Sequence, residues 1–406
     1  MKANGTYDVG GVRYPRPFKI RRLGHFGFNV EDLGAGIDFY GRLLGFRITD
    51  ERDLSKIPGR EEMAKRLTDP RIVFMTHGAD HHAFLLAHKT LGAIFGDDAV
   101  SKDVTVNQIT WQVGSMDEVF KAADYFADHQ VEIRRVGRDM PGSNWHTYIR
   151  DPDGHTVELY YGMEQIGWDS RSKPVDMYYR GFRERPELPQ MSEADELREA
   201  VGKGIDVHSG YAVRDIGAGD HVVEGTRLKR PFKITNIGPM SLFVADVAAS
   251  EAFYTATMGF TRTEEVVWRG HRCVYLRNGA EHHSLSLLPK ALRTELGLNP
   301  GTSVASMGME VGSYRQLRDA VAFLKAEGAT FTDAIPPELY PGVDYAAHVV
   351  DPAGHCLMLY YYMERVGWDG KPRPAALRRK VEGAWPETLE PMSDTYADQT
   401  FQGPLG

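Results

Sequence analysis

The sequence predicts an α+β fold in which two tandem modules each hold a pair of βαβββ units. Three observations predict it: an internal duplication, short segments with strand-like alternation, and one helix-period segment in each half-module. The duplication is read directly. Arg16-Pro17-Phe18-Lys19-Ile20 recurs as Arg230-Pro231-Phe232-Lys233-Ile234, an offset of 214 (230 − 16). Phe39-Tyr40 and Gly45-Phe46 recur as Phe253-Tyr254 and Gly259-Phe260 at the same offset. Asp151-Pro152-Asp153-Gly154-His155 recurs as Asp351-Pro352-Ala353-Gly354-His355, an offset of 200 (351 − 151). The first copy therefore carries 14 extra residues (214 − 200), which residues 55–67 accommodate as an added helix.

These matches place an N-terminal arm at 1–11, module A at 12–169, a strap at 170–225, module B at 226–369 and a second strap at 370–406. The straps are charged and contain proline, a composition for extended or partly helical chain. Both copies retain them, as Pro186-Glu187 with Met191-Ser192 and Pro386-Glu387 with Met392-Ser393, so they are expected to pack on the surface.

Within module A, residues 23–30 alternate as a strand, and Asp32 is a candidate N-cap for a helix through Ile37, Phe39, Tyr40 and Leu43. A strand over 46–50 follows, then strands over 71–77 and 81–88 joined by Gly78-Ala79-Asp80. The second half repeats this order: a strand over 104–113, an amphipathic helix over 116–129, and strands over 131–138, 145–150 and 156–161. The last two turn at Asp151-Pro152-Asp153-Gly154.

Composition bounds the function. The chain has 406 residues, with 48 Lys plus Arg against 56 Asp plus Glu, a net charge of −8. That argues against a nucleic-acid partner, which selects a basic face. Two cysteines, Cys273 and Cys356, make no disulfide framework. With no apolar core in residues 1–10 and no long apolar stretch, the expectation is a cytoplasmic protein off the membrane. No phosphate-binding glycine loop and no Gly-x-Ser-x-Gly elbow occurs.

Leu23-Gly24-His25-Phe26, the helix ending Phe39-Tyr40…Leu44-Gly45-Phe46, and Asp151-Pro152-Asp153-Gly154-His155-Thr156-Val157-Glu158 resemble the vicinal oxygen chelate superfamily. That superfamily includes glyoxalase I, the fosfomycin- and bleomycin-resistance proteins and the type I extradiol ring-cleaving dioxygenases. The resemblance covers both modules, about 300 of the 406 residues. It implies that each module curls eight strands of a mixed sheet into a cup, one of which holds a divalent metal. The two-module layout most resembles the extradiol dioxygenases.

By the resemblance, ligands sit on the first, fifth and eighth strands of one module. In module A these positions hold His25, Gln108 and Glu158. Gln108 stands where the extradiol pattern has histidine, so the donor set is oxygen-richer than the usual two-His, one-carboxylate triad. Fe(II) is the implied ion, with Mn(II) or Zn(II) as alternatives. His82, second of the His81-His82 pair, matches the family's acid–base histidine, and its ordinary pKa of about 6.5 suits a proton acceptor. Module B keeps that pair as His282-His283, so hairpin structure is an alternative reading. Tyr148 matches the tyrosine that hydrogen-bonds a bound substrate oxygen. The family's further histidine falls at Asp139, which makes His146, on the same face as Tyr148, its candidate substitute.

In module B the ligand positions read Pro239, Ser306 and Met358, a silent copy. His348, in the place of Tyr148, is expected to be a hydrogen-bonded strand histidine. Tyr160, Tyr161 and Trp168, with Tyr360, Tyr361 and Trp368, are expected to pack module against module.

The leading expectation is thus a metal-dependent dioxygenase of the extradiol type that takes O₂ and a small catechol-like aromatic. One alternative is a non-oxidative metal-dependent lyase, isomerase or glyoxalase-like enzyme, which Gln108 favours. Another is a metal-free protein that binds an aromatic ligand. A homodimer or higher homo-oligomer is expected from edge strands and aromatic clusters.

Overall fold

A computed structural model describes residues 5–57, 61–91, 103–167, 169–367 and 369–397. It shows two eight-stranded mixed sheets, one per module. Two short hairpins precede them: β1 (Tyr7–Val9) with β2 (Val12–Tyr14), and β11 (His221–Val223) with β12 (Thr226–Leu228). These hairpins lie across positions 11/12 and 225/226, where the repeat alone set module limits.

Module A contains β3 (Arg22–Val30), β4 (Arg47–Asp53), β5 (Arg71–Thr76), β6 (Phe84–His88), β7 (Val106–Gln112), β8 (Ile133–Arg138), β9 (Trp145–Arg150) and β10 (Thr156–Tyr161). Their order in the sheet is β4-β5-β6-β3-β7-β10-β9-β8. Module B repeats it with β13 (Ile234–Val244), β14 (Thr261–Trp268), β15 (His271–Arg277), β16 (Leu285–Pro289), β17 (Val304–Val311), β18 (Thr330–Thr332), β19 (Ala346–Val350) and β20 (Cys356–Tyr360), in the order β14-β15-β16-β13-β17-β20-β19-β18. Both central pairs, β3 with β7 and β13 with β17, are antiparallel, and each is flanked by parallel pairings. Each βαβββ unit thus supplies half of its sheet, and the two halves join along the central pair.

The helix after β3 starts where the sequence places it. The Asp32 carboxylate accepts from the Ala35 amide at 2.9 Å, and α1 (Leu33–Ile37) follows. It then widens into a π-helical turn, Asp38–Leu43, a change that apolar spacing does not reveal. The amphipathic segment of the second half forms helix Met116–Asp128, capped by the Ser115 hydroxyl. The region expected to hold an added helix contains a 3₁₀ turn, Leu54–Lys56, and a short helix, Glu61–Ala64; positions 58–60 lie outside the described residues.

One hydrophobic core runs through both modules, from Phe18, Phe28 and Phe46 to Met240, Leu287 and Leu357. The joint is reciprocal. Tyr254 Oη of module B donates to Asp151 Oδ2 at 2.9 Å, and Tyr40 Oη of module A donates to Asp351 Oδ2 at 2.9 Å. The repeated Arg-Pro-Phe-Lys-Ile segments cross over likewise. Arg16 donates to the Ala256 carbonyl at 3.2 Å, and Arg230 donates to the Gly41 carbonyl at 2.6 Å.

Candidate active site

The site begins with register. His25 on β3 faces Thr110 on β7; Thr110 faces Glu158 on β10; Glu158 faces Tyr148 on β9; Tyr148 faces Arg135 on β8. Because directly opposed residues share a face, these side chains form one row across five strands of the cup. His25, Thr110 and Glu158 are fully buried.

The row brings two of the three predicted ligand residues into contact. His25 Nε2 lies 3.2 Å from Glu158 Oε2. Thr110 Oγ1 donates to the same oxygen at 2.9 Å, and Asn144 Nδ2 donates to Oε1 at 2.7 Å. Gln108 sits two residues along β7, opposite Gly27, and its Oε1 accepts from Tyr148 Oη at 3.3 Å. Among the described residues no group of three or more His, Cys, Asp or Glu is arranged to hold an ion. An ion held by His25 and Glu158 would need further donors, and Gln108, the third predicted ligand, reaches Tyr148.

His82 lies against this pair, with ring centroids 4.4 Å from His25. Its Nδ1 is 3.0 Å from His81 Nδ1, and His81 Nε2 is 3.5 Å from Asp50 Oδ2. Asp50 is held in turn by Tyr178 Oη at 3.0 Å and by Arg52. Burial pushes the His82 imidazole well below its ordinary pKa, and positive charge on His25 or His81 adds to that, so the ring is neutral near pH 7.

Tyr148 also donates to Asp139 Oδ2 at 3.2 Å, and Arg135 pairs with that carboxylate at 2.7 Å. Burial opposes charge on Asp139, but His146 and Arg135 outweigh it and hold its carboxyl below the usual range. His146 is fully buried, with Nδ1 3.4 Å from Asp139 and no hydrogen bond on either nitrogen; burial lowers its pKa. Burial, then the Glu158 and Asp139 charges, push the Tyr148 hydroxyl well above 10, so it stays a donor.

A model of the Glyoxalase/Bleomycin resistance protein/Dioxygenase superfamily matches residues 22–159 and again 236–359. The chain belongs to this superfamily. Among curated relatives, it is 28% identical over 134 residues to 2,2',3-trihydroxybiphenyl dioxygenase of Sphingomonas paucimobilis, covering 33% of this chain and 44% of that one. It is 25% identical over 144 residues to 3-methylcatechol 2,3-dioxygenase of Pseudomonas putida, covering 36% and 43%. The matches thus span less than half the length of these relatives. Among solved structures, the Mn(II)-bound glyoxalase from Novosphingobium aromaticivorans superposes with a TM-score of 0.53 at 14% identity, covering 87% of this chain and 85% of that one. A catechol 2,3-dioxygenase superposes at 0.52 with 15% identity, covering 93% and 97%. At these identities the structures attest the two-module superfamily fold.

The second superfamily module shows what the same row becomes with other residues. Opposite Gly308 the strand bulges at Gly238-Pro239, and Gly308 in turn faces Met358, which faces His348. The connection from β18 to β19 is longer than its module A counterpart, and it lays Ile335, Leu339, Tyr340 and Val343 into an apolar cluster with Met358 and Tyr275. His348 differs from expectation: its Nε2 is buried with no partner, and burial lowers its pKa to about 4. His282 and His283 keep the geometry of the first copy, 3.0 Å apart, with Glu264 2.9 Å from His282 Nε2.

The aromatic expectation is corrected where it can be read. Tyr160 stays inside module A, its ring centroid 4.9 Å from that of His25. Tyr360 donates to the Gly238 carbonyl at 2.8 Å, and Tyr361 to Asp344 at 2.9 Å, both within module B. Tyr160 shares the face of Glu158, two residues before it, while Tyr161 points the other way and is exposed. Trp168 and Trp368 lie outside the described residues.

Sequence reasoning missed Thr110, Asn144 and Asp50. Thr110 was accessible, two residues from Gln108 on the same strand face. Asn144 arrives from a turn and carried no periodic signal.

Proposed function

We propose that the chain is a divalent-metal-dependent dioxygenase of the extradiol type, acting on a small catechol-like aromatic and O₂, with its active site in module A. One observation carries this reading: a fully buried imidazole and carboxylate, His25 and Glu158, converge to 3.2 Å within one row of side chains across the module A sheet. Burying such groups costs several kcal/mol unless they are paired or hold an ion. The partial matches to two ring-cleaving dioxygenases point the same way.

The residues fit an ion with mixed nitrogen and oxygen donors. His25 and Glu158 would hold it, with Gln108 or water completing the set, and Fe(II) suits such donors, as do Mn(II) and Zn(II). When bound, the ion supplies a Lewis acid that orients the substrate's neighbouring oxygens. Thr110 and Asn144 fix the Glu158 carboxylate, as outer hydrogen bonds fix ligands elsewhere. His82 takes the proton of a substrate hydroxyl, and the Asp50–His81 chain orients it through Nδ1. Tyr148 turns its one proton from Gln108 and Asp139 to a substrate oxygen, while Arg135 lies over its ring. His146 packs on that ring, with centroids 4.7 Å apart.

The test is anaerobic reconstitution with Fe(II), then O₂ uptake with a panel of catechols. Uptake with at least one catechol, lost in Glu158→Gln, is expected; no uptake with any of them sinks the reading. Gln108 in a histidine position favours a second reading, a non-oxidative lyase or isomerase at the same site. Turnover that continues without O₂ distinguishes it.

A further inference from the structure

A second concavity lies outside the cup, where the first βαβββ unit of module A meets the chain leading into module B. It encloses about 550 Å³, within the usual range for small-molecule sites. Its walls are the start of β4, the end of β5, the second hairpin and residues 229–234. None of the residues assigned to the proposed reaction lines it.

Its charge is uneven. Five cationic side chains line it, Arg47, Arg227, Lys229, Arg230 and Lys233, against two carboxylates, Asp215 and Asp220. Both carboxylates are taken: Asp215 by Arg230 at 2.6 Å, and Asp220 by Arg227 at 2.7 Å. Arg47 uses one nitrogen on the Gly78 carbonyl, which leaves the rest of its fork. Among the described residues, the ammonium groups of Lys229 and Lys233 face no carboxylate within ion-pair distance. A surplus of three cations in one cleft does not follow from composition, because the whole chain carries −8.

Leu228 offers partly exposed apolar surface to the cleft, and Leu44, Phe232 and Ile234 are buried behind it. His77 lies in the wall with Nδ1 buried and unpartnered. Burial lowers its pKa to about 4; Asp80 opposes that, and Arg22 and Lys233 add to it. A cationic rim beside apolar surface recognises an anionic head on an apolar body; a bare inorganic ion would leave that surface wet.

We infer that this cleft between the modules is a binding site for a small organic carboxylate. The head would sit among Arg47, Lys229 and Lys233, and the body on Leu228 and the alkyl stems of the two lysines.

The His77 imidazole is a local reporter. The full chain is titrated with benzoate, hexanoate and inorganic phosphate, following the His77 ring signals by NMR. Benzoate and hexanoate are expected to shift them saturably and raise the His77 pKa, with phosphate at least tenfold weaker. The Lys229→Glu/Lys233→Glu chain, altered only at exposed positions, is expected to lose at least tenfold in benzoate affinity. Glu158→Gln is expected to leave the response unchanged, which separates this site from the cup and its failure from failure of the proposed activity. The inference is overturned by an unsaturable His77 response, by phosphate binding as tightly as benzoate, by unchanged affinity in the double variant, or by loss of the response in Glu158→Gln.

Discussion

His82 is the proposed base, and its neighbours set its surroundings. It shares a buried corner with His25, and its Nδ1 is tied to His81, so its remaining nitrogen is the one left to meet a substrate. Removing a positioned base costs about 10²–10⁴-fold in rate. His82→Gln is therefore expected to lower kcat by that order while Fe(II) content after reconstitution stays at the wild-type level. Loss of metal with loss of rate would instead make His82 a ligand. Asn144 predicts the opposite split. It holds Glu158 Oε1 at 2.7 Å, so Asn144→Ala is expected to weaken Fe(II) or Mn(II) binding roughly 10–100-fold, read by anaerobic calorimetry. The sequence singled out His25, Glu158 and His82 through motifs that resemble the superfamily's, and the structure brings the three together. It hid Asn144 and Asp50, which reach the site through a turn and a neighbouring strand.

The straps show what an element without periodicity can do. Residues after β10 cross the cup of module A and pair with β8: Arg138 N donates to the Phe182 carbonyl at 2.9 Å, and Phe182 N donates back at 3.0 Å. Arg138 also pairs with buried Glu196, within helix Glu193–Gly202. Tyr178 also reaches Asp50, and Arg378 reaches Glu264; the strap residues are 200 positions apart (378 − 178) and their partners 214 (264 − 50). Each strap thus ends the carboxylate–His–His chain of its own module. Duplication showed that the straps are packed, but composition does not show where. One contact tests the docking. A Cβ on Gly137 would lie 2.2 Å from the Phe182 carbonyl oxygen, a backbone atom that cannot swing aside. Gly137→Ala is expected to cost about 1–3 kcal/mol in urea unfolding and to expose the strap to protease first. Wild-type stability with wild-type cleavage would place the strap elsewhere.

At the scale of the whole molecule, the repeated Asp-Pro-x-Gly-His segments join the modules about a pseudo-twofold arrangement. The pattern was legible as a motif, but its partners came from the other copy, which no local reading supplies. His155 Nδ1 is 2.8 Å from Asp151 Oδ2, and its Nε2 reaches across to Ser303 Oγ at 2.9 Å. His355 Nδ1 is 3.0 Å from Asp351, and its Nε2 reaches back to Thr105 Oγ1 at 2.8 Å. The Phe28 ring stacks on His355 at 4.0 Å. Although Ser303, His155 and Asp151 line up like a hydrolase triad, all three are buried in the joint, and their role is adhesion.

This joint has a pH signature. Burial opposes charge on Asp151, but His155 and the Tyr254 hydroxyl outweigh it and lower its pKa. Burial likewise opposes charge on His155, but Asp151 outweighs it and raises the imidazole. The depressed carboxyl contributes stability present above its unfolded value of about 3.9 and lost as pH falls through the folded one. The raised imidazole contributes stability present below about 6.5 and lost as pH rises through its folded value. The pair therefore holds the modules most firmly between about pH 4 and 6.5. Breaking a buried pair costs about 3–5 kcal/mol, so Asp151→Asn is expected to lose that much at pH 5.5 and progressively less toward either side. Urea unfolding of both chains from pH 3 to 9 measures the difference, and a penalty flat across that range would show that the pair is held without charge.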